Sequence, residues 1–103
     1  MMELIYVVCS SVKEAKLIGK SLVEARLCAC VNIIPGMESI YHWDGKIVED
    51  KEVVLLVKSS EGKFDEISNR VKGLHSYDIP AIFSINSKDI EPDYRNWINA
   101  ELR

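Results

Sequence analysis

The sequence contains no hydrophobic run long enough to cross a membrane. Its apolar runs, such as Leu4–Cys9 and Val53–Val57, are short, whereas a membrane-spanning helix needs about 20 apolar residues. No basic region followed by an apolar stretch and a small-residue cleavage site opens the chain, so we expect no signal peptide. These absences predict a cytoplasmic protein without a membrane partner.

Clustered positive charge is also absent. No basic cluster exceeds two residues, and the formal net charge is −3 at pH 7. Proteins that bind nucleic acid usually carry a basic patch that contacts the phosphates. We therefore expect no nucleic-acid partner.

Cysteine and histidine are scarce. The odd number of cysteines, three, favours free thiols in a cytoplasmic chain over a disulfide framework. A C-x-x-C pair and a histidine pair at ligand spacing are both missing, so we expect no preformed single-chain zinc site. The sequence also shows no nucleophile with a base and an orienting group, and we predict that the protein is not an enzyme.

The residues that are present predict a strand and a helix at the start of the chain. Leu4–Cys9 is apolar and rich in β-branched residues, which is typical of a strand buried on both faces. Ser11 and Glu14 fit a capping box. Apolar residues then recur with the helical period, which predicts a helix over Val12–Leu27.

A long hairpin is predicted next. Ala29–Ile34 and Ser39–Trp43 are strand-like, and Pro35-Gly36 between them either breaks the strand or forms a bulge. Asp44-Gly45 suits a type I′ turn, after which Lys46–Lys58 returns as the second arm.

The rest of the chain predicts two helices and one strand. Ser59 and Ser60 offer helix caps before an amphipathic helix over Glu61–Leu74. Ala81–Asn86 is strand-like, and Pro92 suits the first residue of a short last helix. The order β-α-β-β-α-β plus a C-terminal helix predicts an α+β, ferredoxin-like domain over residues 1–103. Both main helices then cover one face of a four-stranded antiparallel sheet.

The hairpin is too long for those helices to cover. A strand of thirteen residues spans roughly 43 Å, whereas a helix of fourteen residues spans roughly 21 Å. In addition, Val53–Val57 does not alternate apolar and polar residues, so the second face of the sheet is apolar too. We expect one of Val54 and Leu56 to face the helices and the other to face a second subunit. A bare apolar face and an exposed strand edge predict a homo-oligomer.

Five motifs resemble those of the CutA divalent-cation-tolerance family. They are CVNIIPG at 30–36, SIYHWDGK at 39–46, EVVLLVK at 52–58, HSYDIP at 75–80 and PDYRNWI at 92–98. The resemblance implies a trimer related in architecture to the PII signalling proteins. It also implies a role in the response to metal ions, with copper or other divalent cations as ligands, and no established enzymatic reaction.

One motif departs from the family pattern His-Pro-Tyr-Glu. Here the residues are His75, Ser76, Tyr77 and Asp78. Ser76 removes the fixed φ that proline imposes, and Asp78 keeps the negative charge with a shorter reach.

Cys30 and His75 are the metal-ligand candidates. A soft thiolate suits copper, and Cys30 lies within a family motif. His75 offers an imidazole, or it stabilises the end of the preceding helix. Cys28, two residues before Cys30 on the expected strand, should point its thiol to the same face. We interpret Cys9 and Cys28 as packing residues, although Cys9 could join a metal site if its strand is adjacent.

A second candidate site is a ligand cleft between subunits. It would hold a small anion near Lys58 and His75, and its further residues are Tyr41, Trp43, Tyr77, Asp78, Tyr94 and Trp97. The alternative is that these aromatic side chains seal the trimer interface. The sequence thus leaves three functions open, which are metal binding with no required cofactor, PII-like sensing of a small anion, and a structural scaffold.

Overall fold

Four strands and three helices make up the protein in a computed structural model that describes residues 2–103. In chain order they are β1 (Met2–Cys9), α1 (Val12–Glu24), β2 (Cys30–Trp43), β3 (Lys46–Ser60), α2 (Phe64–Leu74), β4 (Ile82–Asn86) and α3 (Pro92–Glu101). The strands form one antiparallel sheet in the order β2-β3-β1-β4. This architecture confirms the predicted α+β fold.

Helix α1 begins at the predicted residue and ends earlier than predicted. The predicted capping box is half formed, because Glu14 accepts from the N–H of Ser10 and not from that of the cap, Ser11. Ser11 caps its first turn, where the Ser11 side chain accepts a hydrogen bond from the Glu14 N–H. Its end is set by Arg26, which has a φ of 55°. The N–H groups of Arg26 and Leu27 then bond back to the carbonyls of Val23 and Leu22, which is a Schellman motif. The prediction that the helix continues to Leu27 was wrong, because glycine usually marks this position and here it is arginine.

The hairpin is continuous, with a bulge at Pro35-Gly36. Ile34 pairs with Val54 and Met37 with Glu52, so one extra residue lies on β2. Of the two readings of this dipeptide, the bulge is correct. Asp44 and Gly45 both have positive φ, 52° and 74°, as a type I′ turn requires.

Helix α2 starts later than predicted. Ser59 and Ser60 belong to β3 and do not cap the helix. The buried Ser59 hydroxyl instead donates to the Leu27 carbonyl at 2.6 Å. In α3, Pro92 is the first residue as expected, and the Glu91 carboxylate accepts hydrogen bonds from the first turn.

The helices α1 and α2 cover one face of the sheet. The core beneath them contains alternate residues of the two central strands and the inward sides of both helices: Ile5, Val7, Cys9, Val53, Leu55, Val57, Ala15, Ile18, Leu22, Ile67 and Val71. None of the described helices is long and apolar enough to cross a membrane.

The opposite face of the sheet is open and apolar. Tyr6 pairs with both Leu56 and Phe83, and the rings of Tyr6 and Phe83 lie 4.8 Å apart. Phe83 remains 48% exposed. Val54 lies two residues from Leu56 on β3, so both point to this open face. The expectation that they face opposite sides was therefore wrong.

The distal hairpin projects beyond the helices. Ile40 and Ile47 are 70% and 68% exposed, and every residue from 40 to 47 is exposed. The chain measures 46 × 26 × 22 Å, so the molecule is elongated.

Candidate functional site

Three ligand-type side chains meet where β1, α1 and α2 come together. Cys9 ends β1, Glu14 lies in the first turn of α1, and His75 follows α2. One ligand atom of each lies within 4.8 Å of the others. We call these three residues the Cys9 cluster.

Cys9 supplies the soft ligand of the cluster. Its side chain is fully buried. Burial, and then the negative charge of Glu14, raise the pKa of Cys9 to about 12. The free protein therefore holds a thiol here at neutral pH, and an ion that binds the sulfur must displace its proton.

Glu14 is held firmly by hydrogen bonds. Its Oε1 accepts from the Ser10 N–H at 2.9 Å and from the Ser10 hydroxyl at 3.0 Å. Its Oε2 accepts from the Ser76 N–H at 2.9 Å. Burial raises the pKa of Glu14, but the hydrogen bonds from Ser10 and Ser76 outweigh burial and lower that pKa below its ordinary value. Glu14 is thus a fixed negative charge.

His75 uses both ring nitrogens within the protein. Its Nε2 lies 2.6 Å from the Val8 carbonyl oxygen, and its Nδ1 accepts the Tyr77 N–H at 3.0 Å. Since the carbonyl only accepts and the amide only donates, we assign the neutral tautomer with its hydrogen on Nε2. The Glu14 Oε1 lies 3.8 Å from Nε2. A metal ion at either nitrogen must displace one of these two hydrogen bonds.

Cys30 lies elsewhere in the chain. It pairs with Lys58 on β3, whereas Val8, which contacts His75, pairs with Val54. These two places are four positions apart along β3, or about 13 Å. Within one chain the structure therefore brings Cys9 to His75, and it does not bring Cys30 there.

Cys28 and Cys30 do not share a face. Cys28 is buried in the core under the helices, and burial raises its pKa to about 12. Cys30 is half-buried and is paired with Lys58, whereas Val31 beside it packs against the core. The prediction of a common face was wrong, because Cys28 precedes β2 and strand alternation does not apply to it.

The residues of the predicted ligand cleft fall into three groups. In the first, the Lys58 Nζ lies 5.5 Å from the centre of the Tyr94 ring, and Tyr94 stacks on Trp97 at 5.8 Å. This group joins the end of β3 to α3.

The second group is on the hairpin. The Tyr41 hydroxyl donates to Asp50 at 2.8 Å, and this hydrogen bond raises the pKa of Tyr41. Trp43 is exposed beside the turn.

The third group adjoins the Cys9 cluster. The Tyr77 hydroxyl donates to Glu52 at 2.7 Å, and burial and then this hydrogen bond raise the pKa of Tyr77. The ring of Tyr77 lies 4.8 Å from that of His75, whereas Asp78 is exposed. This group therefore contacts His75, a member of the Cys9 cluster.

Comparison with known proteins identifies the family. The profile described as CutA1 divalent ion tolerance protein matches residues 3–101. The chain belongs to this family. The predicted resemblance to CutA proteins is thereby confirmed.

Two relatives and one solved structure show how close the similarity is. The divalent-cation tolerance protein CutA of Thermus thermophilus is 43% identical over 98 residues, which are 95% of each chain. A solved structure of the divalent cation tolerance protein from Thermus thermophilus matches with a TM-score of 0.95 and 41% identity, and the match covers 100% of both chains. The Protein CutA homolog of Xenopus laevis is 39% identical over 93 residues, which are 90% of this chain and 62% of that protein.

The sequence favoured other roles for two residues of the Cys9 cluster. Cys9 was interpreted mainly as a packing residue that could join a metal site, and Glu14 only as part of a capping box. One signal in the sequence pointed to their closeness. Cys9 ends a predicted strand and Glu14 lies in the first turn of the predicted helix, so both are at the same strand-to-helix junction. The arrival of His75 at this junction depends on the tertiary fold.

Ser76 distinguishes this chain from the CutA pattern stated above. Proline, the residue of that pattern, has no backbone N–H, whereas Ser76 donates its N–H to Glu14. A proline at position 76 could not make this hydrogen bond to the Cys9 cluster.

Proposed function

We propose that this protein is a homotrimer that binds copper or another divalent cation at the Cys9 cluster, with Cys9 and His75 as ligands, and that it acts in the response to metal ions. The observation that carries the proposal is the meeting of a thiol, an imidazole and a carboxylate within 4.8 Å. Membership of the divalent ion tolerance family supports the same function. No enzymatic step and no required cofactor form part of it.

The donor set fits a soft or borderline ion. Thiolate and imidazole suit copper and zinc, whereas magnesium and calcium prefer oxygen ligands. The neighbouring Glu14 carboxylate adds negative charge that favours any cation at this place. We therefore expect copper to bind far more tightly than magnesium or calcium.

The open sheet face supports self-association. Its exposed apolar residues are Ile34, Phe83 and Ile85, and an apolar patch of this kind marks an interaction surface. The number of three subunits comes from the CutA resemblance. Cys30 lies on β2 away from His75, so a site that combines the two, as the sequence suggested, would need residues of two chains.

The cytoplasm is the compartment that we propose. All three cysteines are free thiols, which suits a reducing compartment. The PII-like anion sensor has less support, because the family that the chain belongs to is described by divalent ion tolerance.

Competition for copper against a chelator of known affinity tests the proposal. Cys9→Ser and His75→Ala should each weaken binding strongly, since each removes a ligand. Cys28→Ser is the matched control, because Cys28 is equally buried but outside the Cys9 cluster. Native mass spectrometry of each variant reports its subunit number. Unchanged affinity in the Cys9→Ser/His75→Ala double variant would rule out this site.

A further inference from the structure

The Glu14 carboxylate is engaged before any ion binds. A carboxylate has about four acceptor positions, and three of them are filled by the Ser10 N–H, the Ser10 hydroxyl and the Ser76 N–H. The side chain of Glu14 is only 11% exposed. Its orientation is therefore fixed from two sides, by the end of β1 and by the segment after α2.

The backbone of Ser76 fixes Glu14 from one of those two sides. Its N–H donates to Glu14 Oε2 at 2.9 Å, and its hydroxyl lies 3.4 Å from the Ser10 hydroxyl. Hydrogen bonds from the Ser76 hydroxyl and from the Ser76 N–H both lower the pKa of Glu14. The N–H is the closer of the two groups, so we assign the attachment of Glu14 at this position to the N–H. Any residue except proline can supply it.

We infer that Ser76 sets the metal preference of the Cys9 cluster by holding Glu14 as a nearby charge and not as a ligand. The inference rests on the metal-binding function proposed above. With Glu14 held back, the ion has one thiolate and one imidazole from the protein. Monovalent copper is the ion that such soft ligands favour, whereas zinc gains from a further carboxylate or imidazole in a tetrahedral site.

A pair of variants at position 76 separates the N–H from the side chain. Ser76→Pro removes the N–H, and Ser76→Ala keeps it. The residue before position 76 is compatible with proline, because His75 has φ −81° and ψ 145°, the extended conformation that precedes proline. The affinities for monovalent copper, under anaerobic conditions, and for zinc are each measured against a chromophoric chelator.

The expected result is a smaller preference for monovalent copper over zinc in Ser76→Pro. Ser76→Pro frees Glu14 to bind the ion, so its zinc affinity should rise about tenfold, which corresponds to about 1.4 kcal/mol of added binding free energy. Copper affinity and the behaviour of Ser76→Ala should stay as in the unmodified protein. Adding Glu14→Gln to Ser76→Pro should abolish the gain in zinc affinity.

Two results would overturn the inference and leave the proposed function standing. They are an unchanged copper-to-zinc preference in Ser76→Pro, and a zinc gain that survives Glu14→Gln. If the unmodified protein binds neither ion, the proposed function fails, and the inference fails with it.

A measurement on the unmodified protein gives an independent test. Amide hydrogen exchange at Ser76 is followed with and without copper. Protection should persist in the copper-loaded protein, because the Ser76 N–H keeps its bond to Glu14. Loss of protection on loading would mean that Glu14 moves to the ion, which contradicts the inference.

Discussion

Gly19→Ala tests the close packing of α1 on the sheet. Gly19 is buried in α1, and a Cβ at this position would lie 2.8 Å from the Val31 Cγ2 atom. Alanine favours a helix interior over glycine by about 1 kcal/mol. Overpacking a close contact costs about 1–3 kcal/mol. The clash should win, and we expect the free energy of unfolding to fall by about 1 kcal/mol.

The effect of Gly19→Ala on the free energy of unfolding should change sign when Val31 is replaced by alanine. Val31→Ala removes Cγ2, and the next contacts of the new Cβ are ordinary ones, with Leu55 Cδ1 and the Cβ at position 31 both at 3.6 Å. In that background Gly19→Ala should stabilise the protein by about 1 kcal/mol, the helix preference alone. The coupling between the two changes is then about 2 kcal/mol, the difference between a loss and a gain of about 1 kcal/mol each.

Chemical denaturation of the four proteins in this cycle measures the coupling. All four must be compared at one protein concentration, because unfolding of an oligomer depends on concentration. Stabilisation by Gly19→Ala with Val31 intact would refute the packing of α1 against β2 described above.

Three further predictions concern the interface, the core and the thiols. Leu56→Asp should prevent assembly, as measured by native mass spectrometry, because it places a carboxylate on the open face of the sheet. The control Leu17→Asp, on the exposed side of α1, should assemble normally. Equal assembly of both variants would contradict an interface on the open face. Ser59→Ala should lower the free energy of unfolding by about 1–3 kcal/mol, because the buried Leu27 carbonyl loses its donor; a smaller loss in thermal or chemical unfolding would count against that hydrogen bond. The metal-free protein should lose stability as the pH rises from 9.0 towards 12, because the Cys9 thiol ionises near 9.0 when unfolded and near 12 when folded, so only the unfolded chain releases its proton in this range. Cys9→Ser should reduce this slope without abolishing it, because burial raises the pKa of Cys28 in the same way, and an unchanged slope would mean that Cys9 titrates normally in the fold.

Local signals made most of the fold predictable. The turn at Asp44-Gly45, the cap at Ser11 and the proline that opens α3 each act within a few residues. The errors arose where the decisive partner is distant or the usual residue is missing. Arg26 ends α1 in a conformation that usually takes glycine, and Ser59 bonds to Leu27, 32 positions earlier.

The candidate site was less predictable for the same reason. The sequence identified His75 but paired it with Cys30, since both lie in family motifs. The fold instead brings His75 to Cys9, 66 residues before it, through the contact of its ring with the Val8 carbonyl. The spacing of these residues in the sequence does not predict that contact, because the contact depends on where α2 ends relative to β1.

Titration with Co²⁺ tests most directly whether Cys9 is the sulfur ligand of the proposed metal site. A thiolate bound to Co²⁺ produces a charge-transfer absorption band, which identifies the ligand atom as sulfur. We predict this band in the unmodified protein, in Cys28→Ser and in Cys30→Ser, and its loss in Cys9→Ser with assembly intact. A band that persists in Cys9→Ser, or that disappears in Cys30→Ser, would contradict a metal site at the Cys9 cluster.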